Sequence, residues 1–232
     1  MVHGLIDELE TLRNPAKAKI LSSFFKTGKG QYGEGDVFLG VTVPAQRAVA
    51  RKYTHLRVKD IEKLLKSKIH EHRLTALLIL IERFKKADKP EREEIVEFYL
   101  KNTKYVNNWD LVDLTAPNIL GRYLLDKDTR LLDKLAHSSH LWEKRIAIVS
   151  TYAFIRENRF AETFRIAEIL LHDKHDLIHK AVGWMLREVG KRDLAAEERF
   201  LKKHCQKMPR TMLRYAIERF DGEKKRFYLG KF

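Results

Sequence analysis

Apolar residues recur at helical spacing along most of the chain. In HRLTALLILIERF (72–84), Leu74, Leu77, Leu78, Ile81 and Phe84 follow one another at steps of three or four residues. Steps of this size place side chains on one face of an α-helix. Alternation of the kind found in β-strands is hard to find, and only five prolines interrupt the chain. The pattern therefore predicts an all-α protein.

The predicted helices repeat at a nearly constant period. Five apolar helices begin at Arg73, Trp109, Arg145, Lys180 and Arg210. The steps between these starts are 36, 36, 35 and 30 residues. Amphipathic segments lie between them, at 91–102, 129–138, 162–172 and 194–204. A repeated helix pair of this length indicates a stacked αα solenoid. We interpret residues 1–232 as one HEAT-like repeat domain.

The five apolar helices are expected to line the inner surface of the solenoid, and their first positions are mostly basic. Four of the five are Arg or Lys: Arg73, Arg145, Lys180 and Arg210. Stacked helices lie about 8–10 Å apart, so these residues are predicted to form a ladder along a concave, basic groove. The alternative is that their aliphatic stems cover the edge of the core and leave the charged heads in water.

The overall charge favours a polyanionic partner. The chain has 46 Lys and Arg against 32 Asp and Glu, a formal net charge of +14. Such a surplus attracts DNA or RNA and, less often, anionic membranes, although some proteins are basic only for solubility. No segment is apolar enough to span a bilayer, and the single cysteine, Cys205, suggests a reducing compartment. We expect a cytoplasmic monomer.

The segment NNWDLVDL (107–114) is the first candidate for chemistry. Trp109 and Asp113 are one helical turn apart, and Asp113 lies about 80° from the centre of the apolar face, at its edge. Pro117 predicts a kink or break near residues 113–116. A core Trp beside a structural acid is the alternative interpretation. Asp110 lies further round the helix and is predicted to face solvent.

Two further residues extend this candidate. Arg145 follows Trp109 by one repeat, and Trp184 lies on the next predicted inner helix. Two aromatic residues, an acid and an arginine suit a cationic centre next to a phosphate. We predict no metal site at His172, His175 and His179, because no second motif supports one. The glycine-rich loop 28–36 lacks the order of a phosphate-binding loop.

The chain resembles the AlkD-type alkylpurine DNA glycosylases, which are built from HEAT-like repeats. The resemblance is carried by WDLVD (109–113), WEKR (142–145) and AVGWMLRE (181–188), with FLGVTVPAQR (38–47) as an early fourth segment. The ordered set is specific, whereas each motif alone is weak. It covers most of the chain.

The resemblance implies a glycosylase that releases cationic N3- and N7-alkylated purines from double-stranded DNA without turning the base into a deep pocket. Asp113 would be the catalytic carboxylate, Trp109 and Trp184 would pack on the lesion nucleotide, and Arg145 would hold a phosphate. No cofactor is implied. The residues expected to contact DNA are Arg47, Arg73, Arg145, Lys180, Arg187 and Arg210.

Two other functions remain open at the level of sequence. The first is a non-catalytic DNA-binding protein, which would bind DNA in a salt-sensitive way and release no base. The second is a protein-binding scaffold, the common use of helical repeats, for which Arg145→Ala and Lys180→Ala would leave DNA affinity unchanged. The glycosylase hypothesis differs from both because it requires Asp113.

Overall fold

The fold, seen in a computed structural model that describes residues 2–230, is built from α-helices. Within that range no β-strand is found, and an isolated bridge pairs Val37 with Ile69. The all-α prediction is confirmed. No helix within residues 2–230 is both long enough and apolar enough to span a membrane.

The chain divides into two compact units, Met1–Thr115 and Ala116–Phe232. The interpretation of residues 1–232 as one repeat domain, with a concave groove along it, stays a prediction.

The first unit is organised around one long buried helix. Its helices are α1 (Val2–Thr11), α2 (Pro15–Phe24), α3 (Val43–Lys52), α4 (Val58–Leu65), α5 (His70–Lys86), α6 (Lys89–Lys101) and α7 (Trp109–Thr115). Helix α5 packs against α3, α4, α6 and α7. Every residue from Leu74 to Ile81 is buried. A helix covered on all sides needs apolar residues on all sides, which explains the run LTALLILI.

The second unit contains the predicted helix pairs. Its helices are α8 (Arg122–Leu124), α9 (Arg130–Ala136), α10 (Leu141–Ser150), α11 (Tyr152–Arg156), α12 (Ala161–Ile169), α13 (Asp176–Gly190), α14 (Leu194–His204), α15 (Arg210–Ala216) and α16 (Gly222–Gly230). The inner helices α10, α13 and α15 pack in succession, while α9 packs on α10 and α14 on α13. Within this unit the arrangement is that of a HEAT-like repeat.

The helix that begins at Trp109 is interrupted where Pro117 predicts a break. Helix α7 ends at Thr115, and Pro117–Gly121 forms a π-helical turn in which the amide of Gly121 donates to the carbonyl of Ala116 at 2.8 Å. Proline has no backbone N–H and cannot continue an α-helical hydrogen-bond pattern through this position. The predicted break is confirmed.

Gly183 lies where α13 and α15 approach each other closely. A Cβ atom at this position would be 2.4 Å from the carbonyl oxygen of Met212 and 2.5 Å from the Cβ of Tyr215. A glycine inside a helix costs helix propensity and indicates a close neighbour, and the neighbour here is helix α15.

Candidate active site

A cavity of about 550 Å³ opens beside α7 in the first unit, and both Trp109 and Asp113 line it. Its remaining wall is mainly apolar and includes Ile20, Leu21, Phe25, Phe38, Val41 and Leu74. Much of this wall comes from the non-repeating segment before residue 43, so the helical periodicity of the repeats does not reveal the cavity.

Trp109 is one end of an aromatic column. Its indole stacks on Phe25 with ring centroids 5.0 Å apart and planes 23° apart. Phe25 stacks on Phe38 at 5.2 Å, and Phe38 stacks on the imidazole of His70 at 4.6 Å. Phe24 adds an edge contact to the indole at 5.8 Å. The aromatic column, Trp109–Phe25–Phe38–His70, thus joins α7 to α5 through the segment between α2 and α3.

Asp113 lies one turn after Trp109 on α7, which is the spacing that puts two side chains on the same side of a helix. It is half-buried, between the buried Val112 and the half-buried Leu114. The predicted position at the edge of the apolar face is confirmed. A carboxylate and an indole therefore line one cavity.

Asp110 does not face solvent as predicted. Its side chain is 12% exposed, and its Oδ2 lies 2.7 Å from Nε2 of His70, the first residue of α5. On the other side of the imidazole, Nδ1 lies 3.3 Å from Oδ2 of Asp36, which also accepts a hydrogen bond from Arg73 at 2.6 Å. These four residues form a buried charged network, Arg73–Asp36–His70–Asp110. The angle of Asp110 on its own helix could not reveal it, because the partner belongs to another helix.

The network shifts the pKa values of its members in opposite directions. Burial acts to lower the pKa of His70, but the charge of Asp110 and the hydrogen bonds to Asp110 and Asp36 outweigh it and raise the pKa to about 9. Burial acts to raise the pKa of Asp36, but its hydrogen bond with His70 and the charge of Arg73 hold that pKa below its usual value. At neutral pH the imidazole is therefore positively charged between two carboxylates.

One buried carboxylate fixes the segment from Phe38 to Val41. Glu71 accepts hydrogen bonds from the backbone amides of Leu39 at 2.9 Å, Gly40 at 2.8 Å and Val41 at 3.2 Å. Gly40 has φ of +86°, and a Cβ there would lie 2.2 Å from the carbonyl oxygen of Asn14. Only glycine fits this backbone and this approach. The segment that carries Phe38 is thus held from both sides.

Arg145 and Trp184, the other two predicted site residues, lie in the second unit on α10 and α13. Arg145 is buried at 5% exposure and donates from Nη1 to the carbonyl oxygen of Leu177 at 2.6 Å. Trp184 is half-buried, donates from Nε1 to Glu188 at 3.0 Å and lies 6.1 Å from the ring of Tyr152. Their predicted roles beside the lesion stay predictions.

Comparison with known proteins gives the family. Residues 5–220 match the profile of the DNA alkylation repair enzymes. The chain belongs to this family. A solved structure described as a predicted DNA alkylation repair enzyme from Enterococcus faecalis is similar with a TM-score of 0.70, over 90% of this chain and 97% of that chain, at 16% identity. This likeness shows a shared fold. Among curated proteins, no match is found.

As a DNA alkylation repair family member, the chain is expected to bind DNA, and the predicted contact residues have different surroundings. Arg47 on α3 is half-buried, and its side chain has no hydrogen bond or ion pair with another residue in the described range 2–230. Lys180 forms an ion pair with Asp176 at 2.6 Å. Arg210 is exposed and donates to the carbonyl oxygen of Leu229 at 3.1 Å. DNA contact by these three residues stays a prediction.

Two of the predicted DNA-contacting arginines of this repair family member are already paired with carboxylates. Arg187 pairs with Glu218 and lies 3.7 Å from Glu188. Arg73 departs from the predicted ladder, because it is 3% exposed and its guanidinium binds Asp36 in the buried charged network. A phosphate on the surface cannot reach it there. We therefore leave Arg73 out of the proposed DNA contacts.

The histidines near the start of α13 have structural partners. Nδ1 of His175 accepts a hydrogen bond from the amide of Leu177 at 3.1 Å and so caps this helix, while His179 bonds the carbonyl oxygen of Asp173 at 2.5 Å. Within residues 2–230 no cluster of three or more His, Cys, Asp or Glu side chains suits a metal ion.

Proposed function

We propose that the protein is a monofunctional DNA glycosylase that hydrolyses the N-glycosidic bond of cationic N3- and N7-alkylated purines in double-stranded DNA. The observation that carries the proposal is the pairing of Asp113 with Trp109 on the wall of one cavity. Membership of the DNA alkylation repair family and the net charge of +14 support it. A polyanion with a positively charged lesion is a substrate that both the basic surface and the carboxylate favour.

Hydrolysis of the N-glycosidic bond of an alkylated purine needs only a few catalytic groups. An alkylated purine carries a positive charge, so when the bond between C1′ and the purine nitrogen breaks, the bonding electrons leave with a neutral base. The deoxyribose becomes an oxocarbenium-like cation, to which water adds with loss of a proton. No strong general acid is needed because the leaving group is already activated. The protein has to stabilise a cation and admit water.

The proposed roles follow from the charges of the side chains. The carboxylate of Asp113 stabilises the positive charge that develops on the sugar and orients the attacking water. The indole faces of Trp109 and Trp184 favour a cation electrostatically, and the guanidinium of Arg145 binds a phosphate next to the lesion. Arg145 is the member of this set whose guanidinium already donates to a backbone carbonyl, that of Leu177.

The cavity is poorly suited to reading a base by hydrogen bonds, which supports release without turning the base into a recognition pocket. Most of its polar lining already has partners: Glu71 binds three backbone amides and His70 binds two carboxylates. Gln46 donates to the carbonyl oxygen of Val41 at 2.8 Å and keeps one buried acceptor, Oε1, without a partner in the described range 2–230. Enzymes that extrude a base usually read its edge with several polar groups.

The test is base release from duplex DNA that contains N7-methylguanine. We expect Asp113→Asn to lower the single-turnover rate at least about 100-fold, since a charge that stabilises the transition state is removed. Asp126→Asn is the matched control, because Asp126 is an exposed aspartate outside the cavity. Its rate should equal that of the wild type. Equal rates for Asp113→Asn and Asp126→Asn would remove Asp113 from the mechanism.

The same assay separates the alternatives. A non-catalytic DNA-binding protein would bind the duplex in a salt-sensitive way and leave the modified base in place. A protein-binding scaffold would show neither binding nor base release. Either result with the wild-type protein would contradict the proposed activity.

A further inference from the structure

The buried charged network lies directly under the proposed catalytic helix. Helix α7 has seven residues, which is too short to be stable without tertiary contacts. Its first turn carries Trp109 and Asp110, and Asp113 follows one turn later. The side chain of Asp110 leaves the helix and binds His70 on α5 at 2.7 Å. This contact adds a polar connection to the burial of Leu111, Val112 and Thr115 in fixing the orientation of α7.

A second connection joins His70 to the same turn. Phe38 stacks on the imidazole at 4.6 Å, and Phe25 stacks on both Phe38 and the indole of Trp109. The imidazole therefore holds two consecutive residues of α7, Asp110 by a hydrogen bond and Trp109 through stacked rings. It lines the cavity together with Asp113.

The geometry favours donation by both ring nitrogens of His70. Nδ1 and Nε2 lie 3.3 and 2.7 Å from carboxylate oxygens of Asp36 and Asp110, and a carboxylate only accepts. If the ring were neutral, its Nδ1 could accept a hydrogen bond from Nη2 of Arg73, 3.4 Å away. The lone pair of Nδ1 would then face the oxygen of Asp36 to which the same guanidinium donates at 2.6 Å. The imidazolium avoids this repulsion.

Charge balance leads to the same protonation state. The charged groups around the ring are Asp36 from the connection after α2, Asp110 from α7 and Arg73 from its own helix. Glu71, also on α5, is committed to three backbone amides. With the ring protonated, two positive charges offset two negative ones. With the ring neutral, one buried carboxylate would lack a counter-charge, which is costly at this depth.

We propose that His70, held as an imidazolium between Asp36 and Asp110, is a positioning residue that fixes the first turn of α7 and thereby sets Trp109 and Asp113 for base release. The proposal rests on the proposed glycosylase function for its kinetic part only. The positioning of Trp109 is a property of the folded chain and can be measured without DNA.

The kinetic test compares two buried histidines of α5. His70→Gln keeps a polar side chain but removes the positive charge and the stacked imidazole ring. The hydrogen-bond partner of His72 is instead Ser67, which precedes α5. We expect His70→Gln to lower kcat for release of N7-methylguanine about tenfold with KM unchanged within twofold, because DNA binding is spread over a wide surface. His72→Gln should keep the wild-type kcat. Equal kcat values for the two variants, or a loss confined to KM, would overturn the proposal.

The spectroscopic test needs no substrate. In a Trp142→Phe, Trp184→Phe background, Trp109 is the remaining tryptophan. Its emission should change on titration with a midpoint near the pKa of His70, about 9, and this transition should be absent when His70→Gln is added. If His70→Gln does not fold, Asp110→Asn takes its place, because it keeps an acceptor for Nε2 and removes the charge. An unchanged titration in the variant overturns the positioning role, whereas absence of base release by the wild type alone would contradict only the glycosylase function.

Discussion

At the scale of single residues, Glu71 decides the shape of the candidate site. It is buried at 1% exposure, and its two oxygens take up the backbone amides of three consecutive residues, Leu39, Gly40 and Val41. Amides that turn away from regular structure need a partner when they are buried. A carboxylate that binds several of them replaces the missing secondary structure. The position of Phe38 in the aromatic column follows from this arrangement.

Removing this carboxylate should destabilise the fold. We expect Glu71→Ala to lower the free energy of unfolding by about 3 kcal/mol, because three buried donors lose a charged acceptor. Urea denaturation measures the change. Glu82→Ala, on the same helix, removes a surface pair with Lys85 and should cost at most about 1 kcal/mol. A loss for Glu71→Ala no larger than that of this control would contradict the assignment.

At the scale of elements, the packing of α13 on α15 shows how a repeat sets its spacing. Glycine at position 183 destabilises the helix by about 1 kcal/mol relative to alanine. Its missing Cβ lets the backbone of α15 approach closely. The carbonyl oxygen of Met212 occupies the space where a Cβ would be. Both sides of this contact are backbone or Cβ atoms, which cannot rotate away. The distance between these helices is therefore fixed at this point.

Adding one methyl group should separate the two helices. We expect Gly183→Ala to destabilise the protein by about 1–3 kcal/mol, since overpacking outweighs the gain in helix propensity. Thermal or urea unfolding reports the change. Gly4→Ala in α1 is the matched control, because its nearest neighbour, the hydroxyl of Tyr53, would be 3.4 Å from the new Cβ. That variant should be as stable as the wild type or slightly more so, and a stable Gly183→Ala would show that α15 can move.

The sequence predicts those elements and site residues that depend on local spacing. The break before Pro117 is local, and Trp109 and Asp113 can be paired because four residues separate them on one helix. The predicted helix starts at Trp109 and Arg210 are confirmed. Those at Arg73, Arg145 and Lys180 are wrong by three or four residues, because α5, α10 and α13 begin one turn earlier, at residues without a strong apolar pattern. The contact of His70 with Asp110 spans 40 residues and depends on how α5 packs on α7, which no periodicity records. Arg73 shows the same limit, because a basic residue at a helix start looks alike in sequence whether it faces a phosphate or Asp36.

At the scale of the whole molecule, the net charge of +14 is the property that matters for DNA. Many of the basic side chains nevertheless have acidic partners: Lys180 pairs with Asp176 and Arg187 pairs with Glu218. A basic residue with an acidic neighbour must exchange that partner for a phosphate, whereas Arg47 has no such exchange to make within residues 2–230. The contribution of each basic residue to DNA affinity therefore depends more on its neighbouring side chains than on the net charge of the protein.

Salt dependence measures this contribution. We expect affinity for an undamaged duplex to fall linearly with salt on logarithmic axes, and Arg47→Ala to reduce the slope by about one. Arg130→Ala is the control, because Arg130 on the outer helix α9 is exposed and bonded to Asp128. Its slope should match that of the wild type. Identical slopes for both variants would show that Arg47 does not meet a phosphate.

The brevity of α7 has a consequence for how such proteins can diverge. The acid and one of the two indoles of the proposed reaction occupy five positions, Trp109 to Asp113, in a helix that ends two residues later. Substitutions confined to this segment could abolish catalysis in a related protein while its other helices and its affinity for DNA stay unchanged. In related chains, loss of the acid at the position of Asp113 would therefore indicate loss of the proposed activity even where the fold is unchanged.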